Sequence, residues 1–144
     1  MLEAIDIYKQ QIVKTRPPSI NDNEFLSSKD HKVNVRIAIT ANDTQLKMST
    51  DEKYELIVST KSLETSVYIS AYSFFGARHG LETLSQLIAW DETIPALLIM
   101  KDVEIRDSPA FPHRGLLIDT ARNYVSVDMI KKLICFLFVY IHSI

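Results

Sequence analysis

Apolar side chains recur along this chain in three rhythms, and each rhythm predicts an element. Leu2, Ile5, Tyr8 and Ile12 lie three and four apart, which lines them along one face of a helix. Pro17-Pro18 must end that helix, since proline brings no amide hydrogen to it. Residues 21–30 are polar and read as a loop. From Val33 the period drops to two: Val33, Val35, Ile37 and Ile39 alternate with Asn34, Arg36 and Ala38, the mark of a half-buried strand. Residues 41–51 read as a turn, Tyr54, Leu56 and Val58 as a second strand, and Val67, Ile69 and Ala71 as a third. The 61–65 connection is short enough for an antiparallel hairpin.

At Ser73 the rhythm becomes helical again. Ala77, Leu81, Leu84 and Ile88 fall at i, i+4, i+7 and i+11, so a helix presents one apolar stripe to the sheet. Gly76 and Gly80 sit on that same side. Glycine weakens a helix by about 1 kcal/mol relative to alanine, and two of them predict close approach of a neighbouring backbone. Trp90, Asp91 and Pro95 mark the exit; residues 97–100 and then Val103 and Ile105 read as two short strands or one bent one, before Asp107-Ser108-Pro109 closes the domain. Strand, strand, strand, helix, strand with short links predicts an α+β fold, a mainly antiparallel sheet with helices on one face.

Past Pro112, residues 115–118 (Gly-Leu-Leu-Ile) read as a short buried strand with Asp119, Thr120 and Arg122 at its C-terminal end. Parallel α/β barrels build their sites at that end of their strands. His113 and Arg114 precede the strand, where placement serves stability. Ser126 can cap a following helix that carries Asp128 in its first turn and Met129, Ile130 and Leu133 on its apolar face. Residues 133–141 are then apolar all round, too short to span a bilayer and, with no charge or proline, of aggregation-prone composition.

Two of these stretches resemble a known family. Residues 107–124 (DSPAFPHRGLLIDTARNY) closely resemble the first barrel strand of the β-N-acetylhexosaminidases, glycoside hydrolase family 20, and residues 75–88 (FGARHGLETLSQLI) resemble the domain ahead of that barrel. The wording is nearest to the insect enzymes that act on chitin fragments and N-glycans. Two long motifs in the family's order make coincidence a poor explanation. The resemblance implies an α+β domain followed by the first strand and partial helix of a truncated (β/α)8 barrel. It also implies hydrolysis of terminal N-acetyl-hexosamine residues from chitooligosaccharides or glycans, in which the substrate's own 2-acetamido oxygen attacks the anomeric carbon.

In the family an Asp steadies that acetamido group and the adjoining Glu is the general acid, both within a His-x-Gly-Gly-Asp-Glu run. These 144 residues contain no such run. Asp51-Glu52 and Asp91-Glu92 lack its glycines and read as solvated surface, so no catalytic residue is assigned and the chain is expected to be inactive. Arg122 alone carries over as a substrate-binding residue, its guanidinium fork suited to two vicinal sugar hydroxyls. The competing reading is that Arg122 pairs with Asp119, three residues back. Arg78 and His79 read as domain-interface residues, with Glu82 one turn on able to pair with Arg78. No His, Cys, Asp or Glu cluster has metal-ligand spacing, and no cofactor or metal is expected.

The expected organisation is a helical segment over 1–19, the α+β domain over 20–110, the start of the barrel over 111–132 and an atypical apolar tail over 133–144. A complete barrel takes on the order of 250 residues, so the chain reads as an N-terminal fragment that has lost its leader, its remainder or both, the tail being readthrough. Two rival functions remain, a noncatalytic module that docks on a separately supplied barrel and a sugar-binding protein that uses Arg122. The implied partner of the complete enzyme is an N-acetylglucosamine-containing oligosaccharide; self-association through the tail is the other contact expected.

Composition narrows this further. The chain is 47% hydrophobic and 24% charged, which suits a folded chain. Its 16 basic residues are scattered and its net charge is −2, leaving no stripe for nucleic acid. The one cysteine, Cys135, allows no internal disulfide and says nothing of compartment. Glu3, Asp6, Lys9 and Lys14 interrupt any signal-peptide core, yet Asn42-Asp43-Thr44 is a glycosylation sequon. The resemblance implies a secreted, lysosomal or membrane-associated protein, and the sequence leaves the compartment of this chain open.

Overall fold

The structure is a computed structural model that describes residues 2–15, 17, 31–42, 45–94 and 96–140, without the side chains of 2–4 and 135–140. The loop expected over 21–30 lies outside the described residues. The elements are α1 (Leu2–Lys14), β1 (Lys32–Ile39), β2 (Tyr54–Lys61), β3 (Glu64–Ala71), α2 (Phe74–Gln86), β4 (Ile88–Asp91), β5 (Ala96–Ile99), β6 (Val103–Asp107) and α3 (Val127–Tyr140). They fall into two compact units, one of Met1–Thr44 with Asp51–Ser108 and one of Gln45–Thr50 with Pro109–Ile144.

The alternation of apolar and polar positions decides the first unit. Four strands pair in the order β1-β3-β2-β6, and Leu56 lies opposite Ile69 while Val58 lies opposite Val67, so one apolar layer runs across the sheet. Leu56 and Ile69 are 0% exposed. Ala77, Leu81 and Leu84 of α2 are buried against that layer, and Ile5 and Tyr8 of α1 join the same core. The sheet is mainly antiparallel as predicted, with one departure: β1 pairs with β3 in parallel. A two-residue loop, Ser62-Leu63, makes β2 and β3 immediate neighbours, while the longer 40–53 link lets the chain step over β3. Ser62 has φ of 54°, the only left-handed residue in that loop, as a type II′ turn requires. β1, an edge strand, is more exposed than its alternation predicts, with Val33 and Val35 open to solvent.

Helix α2 is anchored at its start by Ser73, whose hydroxyl accepts from the Gly76 amide at 3.2 Å and donates to the Asp51 carbonyl. Both glycines mark close approach. A Cβ on Gly76 would stand 2.4 Å from the Lys53 carbonyl oxygen, and one on Gly80 would stand 2.7 Å from Ile69 Cγ2. The helix ends at Gln86, so Ile88 opens β4 instead of extending the stripe. Trp90 is likewise a strand residue, opposite Leu97 in a β4–β5 hairpin, where the sequence had marked only an exit. Asp91 ties the hairpin loop by accepting from the Thr93 and Ile94 amides at 2.7 and 3.1 Å.

Two buried tyrosines give this unit a pH limit. Burial pushes the Tyr8 hydroxyl's pKa up and the Glu82 charge adds to it, against an opposing Arg78. Burial does the same at Tyr54; its hydrogen bond to Thr83 at 2.6 Å opposes and the Asp107 charge adds. Both folded values therefore stand above the unfolded 10.0. Their contribution to stability is complete below 10.0 and is lost as pH rises through the folded values. Denaturant unfolding followed by circular dichroism should lose stability above that pH, and Tyr8→Phe and Tyr54→Phe should each make the loss shallower. Equal slopes in wild type and variants would remove the tyrosines as its cause.

In the second unit, the 45–50 loop closes on itself, the Lys47 amide donating to Thr50 Oγ1 at 2.8 Å and the Thr50 amide to the Lys47 carbonyl at 2.9 Å. The strand expected over 115–118 is not formed: residues 113–119 join no ladder among the described residues, and Leu117 is 94% exposed. A strand exists only with a neighbour to take its amides and carbonyls, and the described residues of this unit offer none. Helix α3 does form. Ser126 Oγ accepts from the Met129 amide at 3.3 Å, with Asp128 in the first turn. It runs without a break across the boundary expected at 132/133. Among the described residues no helix is long and apolar enough to cross a membrane.

Candidate functional site

The polar cluster after residue 118 is a turn built by Asp119. One carboxylate oxygen, Oδ1, accepts from the amides of Ala121 at 2.9 Å and Arg122 at 3.2 Å, the local closure that aspartate favours in turns. The other, Oδ2, accepts from Arg122 Nε at 2.7 Å. The Arg122 guanidinium, with the two amides behind it, holds the Asp119 carboxyl below its ordinary range. Sequence reasoning weighed Arg122 as a sugar contact and as a partner for Asp119, and the pairing is present. It does not exhaust the side chain: Arg122 remains 88% exposed, engaged through Nε. Nearby, Arg114 Nη1 donates to the Phe111 carbonyl at 2.6 Å, a bond that closes the proline-flanked turn, and His113 is exposed.

A second polar pair lies in the first unit and corrects an expectation. Glu52, read as solvated surface, is 6% exposed and its Oε2 lies 2.8 Å from His79 Nε2. The cause is the missing side chain at Gly76, which lets the 51–53 backbone settle onto α2 one turn before His79. A buried carboxylate needs such a partner. The available signal was the glycine three residues ahead of the histidine. Asp91-Glu92 fits its reading better, Glu92 being exposed. On the same helix Arg78 and Glu82 both act on the Tyr8 hydroxyl of α1, so Arg78 and His79 have partners inside this unit. Asn42 is exposed just past β1; Asp43 and Thr44, the rest of its sequon, lie outside the described residues.

Comparison with known proteins bears on both units. The family described as beta-acetyl hexosaminidase like matches residues 1–87, and the catalytic domain of glycosyl hydrolase family 20 matches residues 111–140. The second match includes Asp119 and Arg122 and extends into the apolar segment that begins at Leu133. The chitooligosaccharidolytic beta-N-acetylglucosaminidase of Bombyx mori is 50% identical over 91 residues, 62% of this chain and 15% of that protein. The probable beta-hexosaminidase fdl of Drosophila melanogaster is 40% identical over 103 residues, 71% of this chain and 16% of that protein. Beta-hexosaminidase 1 of Arabidopsis thaliana is 38% identical over 115 residues, 76% of this chain and 21% of that protein. The chain thus spans about a sixth of the length of the insect relatives it matches.

Proposed function

Because the chain belongs to the β-acetyl hexosaminidase-like proteins of glycosyl hydrolase family 20, we propose that it supplies the leading domain and the opening of the barrel to an enzyme that removes terminal N-acetylglucosamine from chitooligosaccharides. The observation that carries this reading is the pair of family matches standing in the family's order, 1–87 and then 111–140. The activity for which the silkworm relative is named supplies the substrate class.

In such an enzyme the 2-acetamido oxygen of the substrate attacks the anomeric carbon while a glutamic acid protonates the leaving oxygen. The part of this chain is to hold the sugar: Arg122, steadied by Asp119, donates to hydroxyls at the non-reducing end. These residues contain no Asp-Glu pair in the glycine-rich setting that the chemistry uses, so the chain alone is silent. Unpaired apolar side chains such as Leu116, Leu117 and Ile134 are open to solvent, and the isolated chain self-associates through this C-terminal part. Asn42, exposed beyond β1, carries a glycan when the protein is secreted.

The test is a graft. Put in place of the matching portion of the silkworm enzyme, this chain is expected to give active protein, and Arg122→Ala in the graft to lower kcat/KM about 100-fold, as befits a lost charge-assisted contact. The chain by itself should release no chromophore from an N-acetylglucosaminide. A graft indifferent to Arg122→Ala ends the sugar-holding role. Activity restored by mixing the chain with a separate barrel would favour a docking module instead.

A further inference from the structure

The face of the first unit's sheet turned away from α2 is not the flat polar surface that alternation alone would give. Its side chains form rows that cross the strands. One row is Ala38, Ser70, Glu55 and Arg106, fixed by the registers Ala38↔Ser70, Ser70↔Glu55 and Glu55↔Arg106. Two members at one end are small. On either side of Ser70, two residues along β3 and its extension in each direction, stand Tyr68 and Tyr72, whose Cα positions are about 13 Å apart at strand spacing. Small residues in a row between large ones make a trench. The resulting cavity has a volume of about 710 Å³ and is lined by Ala38, Ser70, Tyr68, Tyr72, Glu55 and Arg106, among others.

The trench has a consistent chemistry. Tyr68 is 38% and Tyr72 56% exposed, so both bring aromatic surface to solvent where no core requires it. At the far end Arg106 Nε donates to Glu55 at 2.7 Å and Arg106 Nη2 meets Glu104 at 2.7 Å, which holds the guanidinium in place beside two carboxylates. Lys53 and Asp107 add one charge of each sign, so the charges of the lining itself cancel, and Glu104 behind Arg106 tips the surroundings by one negative charge. Neutrality argues against phosphate, nucleic acid or an anionic membrane, each of which needs a cationic surface. It also argues against a strongly charged peptide. Two aromatic walls for the C–H faces of a pyranose, with fixed donors and acceptors for its hydroxyls, fit an uncharged polyhydroxylated chain. The spacing of the tyrosines exceeds one sugar ring, which favours an oligomer.

We propose that this trench binds a neutral N-acetylglucosamine oligosaccharide, held between Tyr68 and Tyr72 with Arg106 and Glu55 on its hydroxyls. The identity of the sugar rests on the function proposed above, whereas the trench and its neutrality do not. The site gives the leading domain a grip on the polymer from which the substrate is cut.

Isothermal titration of the full chain, at micromolar concentration, with tetra-N-acetylchitotetraose tests it. Saturable binding is expected, weakened at least tenfold by Tyr68→Ala and by Arg106→Ala and unchanged by Lys9→Ala, an exposed position on α1. Circular dichroism checks that each variant is folded; Tyr72→Ala, beyond the end of β3, replaces any that is not. No saturable heat, or binding that survives Tyr68→Ala and Arg106→Ala, overturns the proposal. Loss confined to Arg122→Ala would also overturn it while upholding the reading of Arg122 in the family site. Preference for an extended uncharged peptide over the sugar would make the trench a protein-binding surface and end the proposal. A silent graft with intact trench binding would instead strike only the function proposed for the whole.

Discussion

Ile69→Ala is expected to lower the stability of the first unit by about 4 kcal/mol, near the upper end for deletion of a fully buried aliphatic side chain. Ile69 lies in the middle of β3, between Ile37 of β1 and Leu56 of β2, and is 0% exposed. On the core face of the sheet it meets α2 at Gly80, where a Cβ would come within 2.7 Å of its Cγ2. The same contact makes Gly80→Ala unfavourable in the wild type, by about 1–3 kcal/mol of overpacking against about 1 kcal/mol gained in helix propensity. Removing Cγ2 first should lift most of that penalty, because the closest obstacle is that side-chain atom and the next, Tyr54 Cδ2, stands at 3.2 Å. The double variant should therefore be more stable than the two single losses predict, with a coupling of about 1–2 kcal/mol. Denaturant melts of the four proteins measure it, and strict additivity would mean that Gly80 and Ile69 do not face one another.

Gly76→Ala is expected to do damage that no second change of this kind repairs. Its Cβ would lie 2.4 Å from the Lys53 carbonyl oxygen and 3.1 Å from the carbonyl carbon and oxygen of Glu52, all of them backbone. No rotamer relieves a backbone contact, so α2 must lift from the 51–53 segment. Two bonds depend on that closeness, from Ser73 to the Asp51 carbonyl and between Glu52 and His79. We expect a net loss of about 3 kcal/mol even after the gain from replacing a helical glycine. Faster hydrogen exchange at the Ala77 amide, which donates to the Ser73 carbonyl at 3.1 Å, should accompany it. Unchanged stability with a protected Ala77 amide would show that the segment can retreat without cost.

These two glycines also mark how far the sequence could be read. Periodicity located every strand of the four-stranded sheet and the stripe of Ala77, Leu81 and Leu84, because burial on one face leaves a repeating trace. It could not show that β3 would lie between β1 and β2, since pairing order depends on link lengths and not on the pattern within a strand. Glu52 was misread for a related reason: a charged residue in a turn is normally solvated, and only the approach permitted by Gly76 buries it. The run 115–118 was apolar enough to be a strand, but apolarity is a property of a segment and strand formation is a property of a pair. At the candidate site the Asp119–Arg122 pairing was legible because it is local. The trench on the open face was not, because its walls and floor come from four strands and its signal is two tyrosines at polar positions of an alternation.

The parallel pairing of β1 with β3 bears on the order in which the unit assembles. β2 and β3 are joined by two residues and can zip as a hairpin within microseconds. Lys32 of β1 must find Glu64, and closing that much longer loop carries an entropy penalty larger by about 2 kcal/mol. Among the described residues β1 has no strand on its outer side, and it keeps Val33 and Val35 in solvent, so little burial offsets the cost. It is the last strand to arrive and the first to leave. Each departure bares the edge of β3 that β1 covers, so the time that edge spends open to other chains is set by how often β1 lets go.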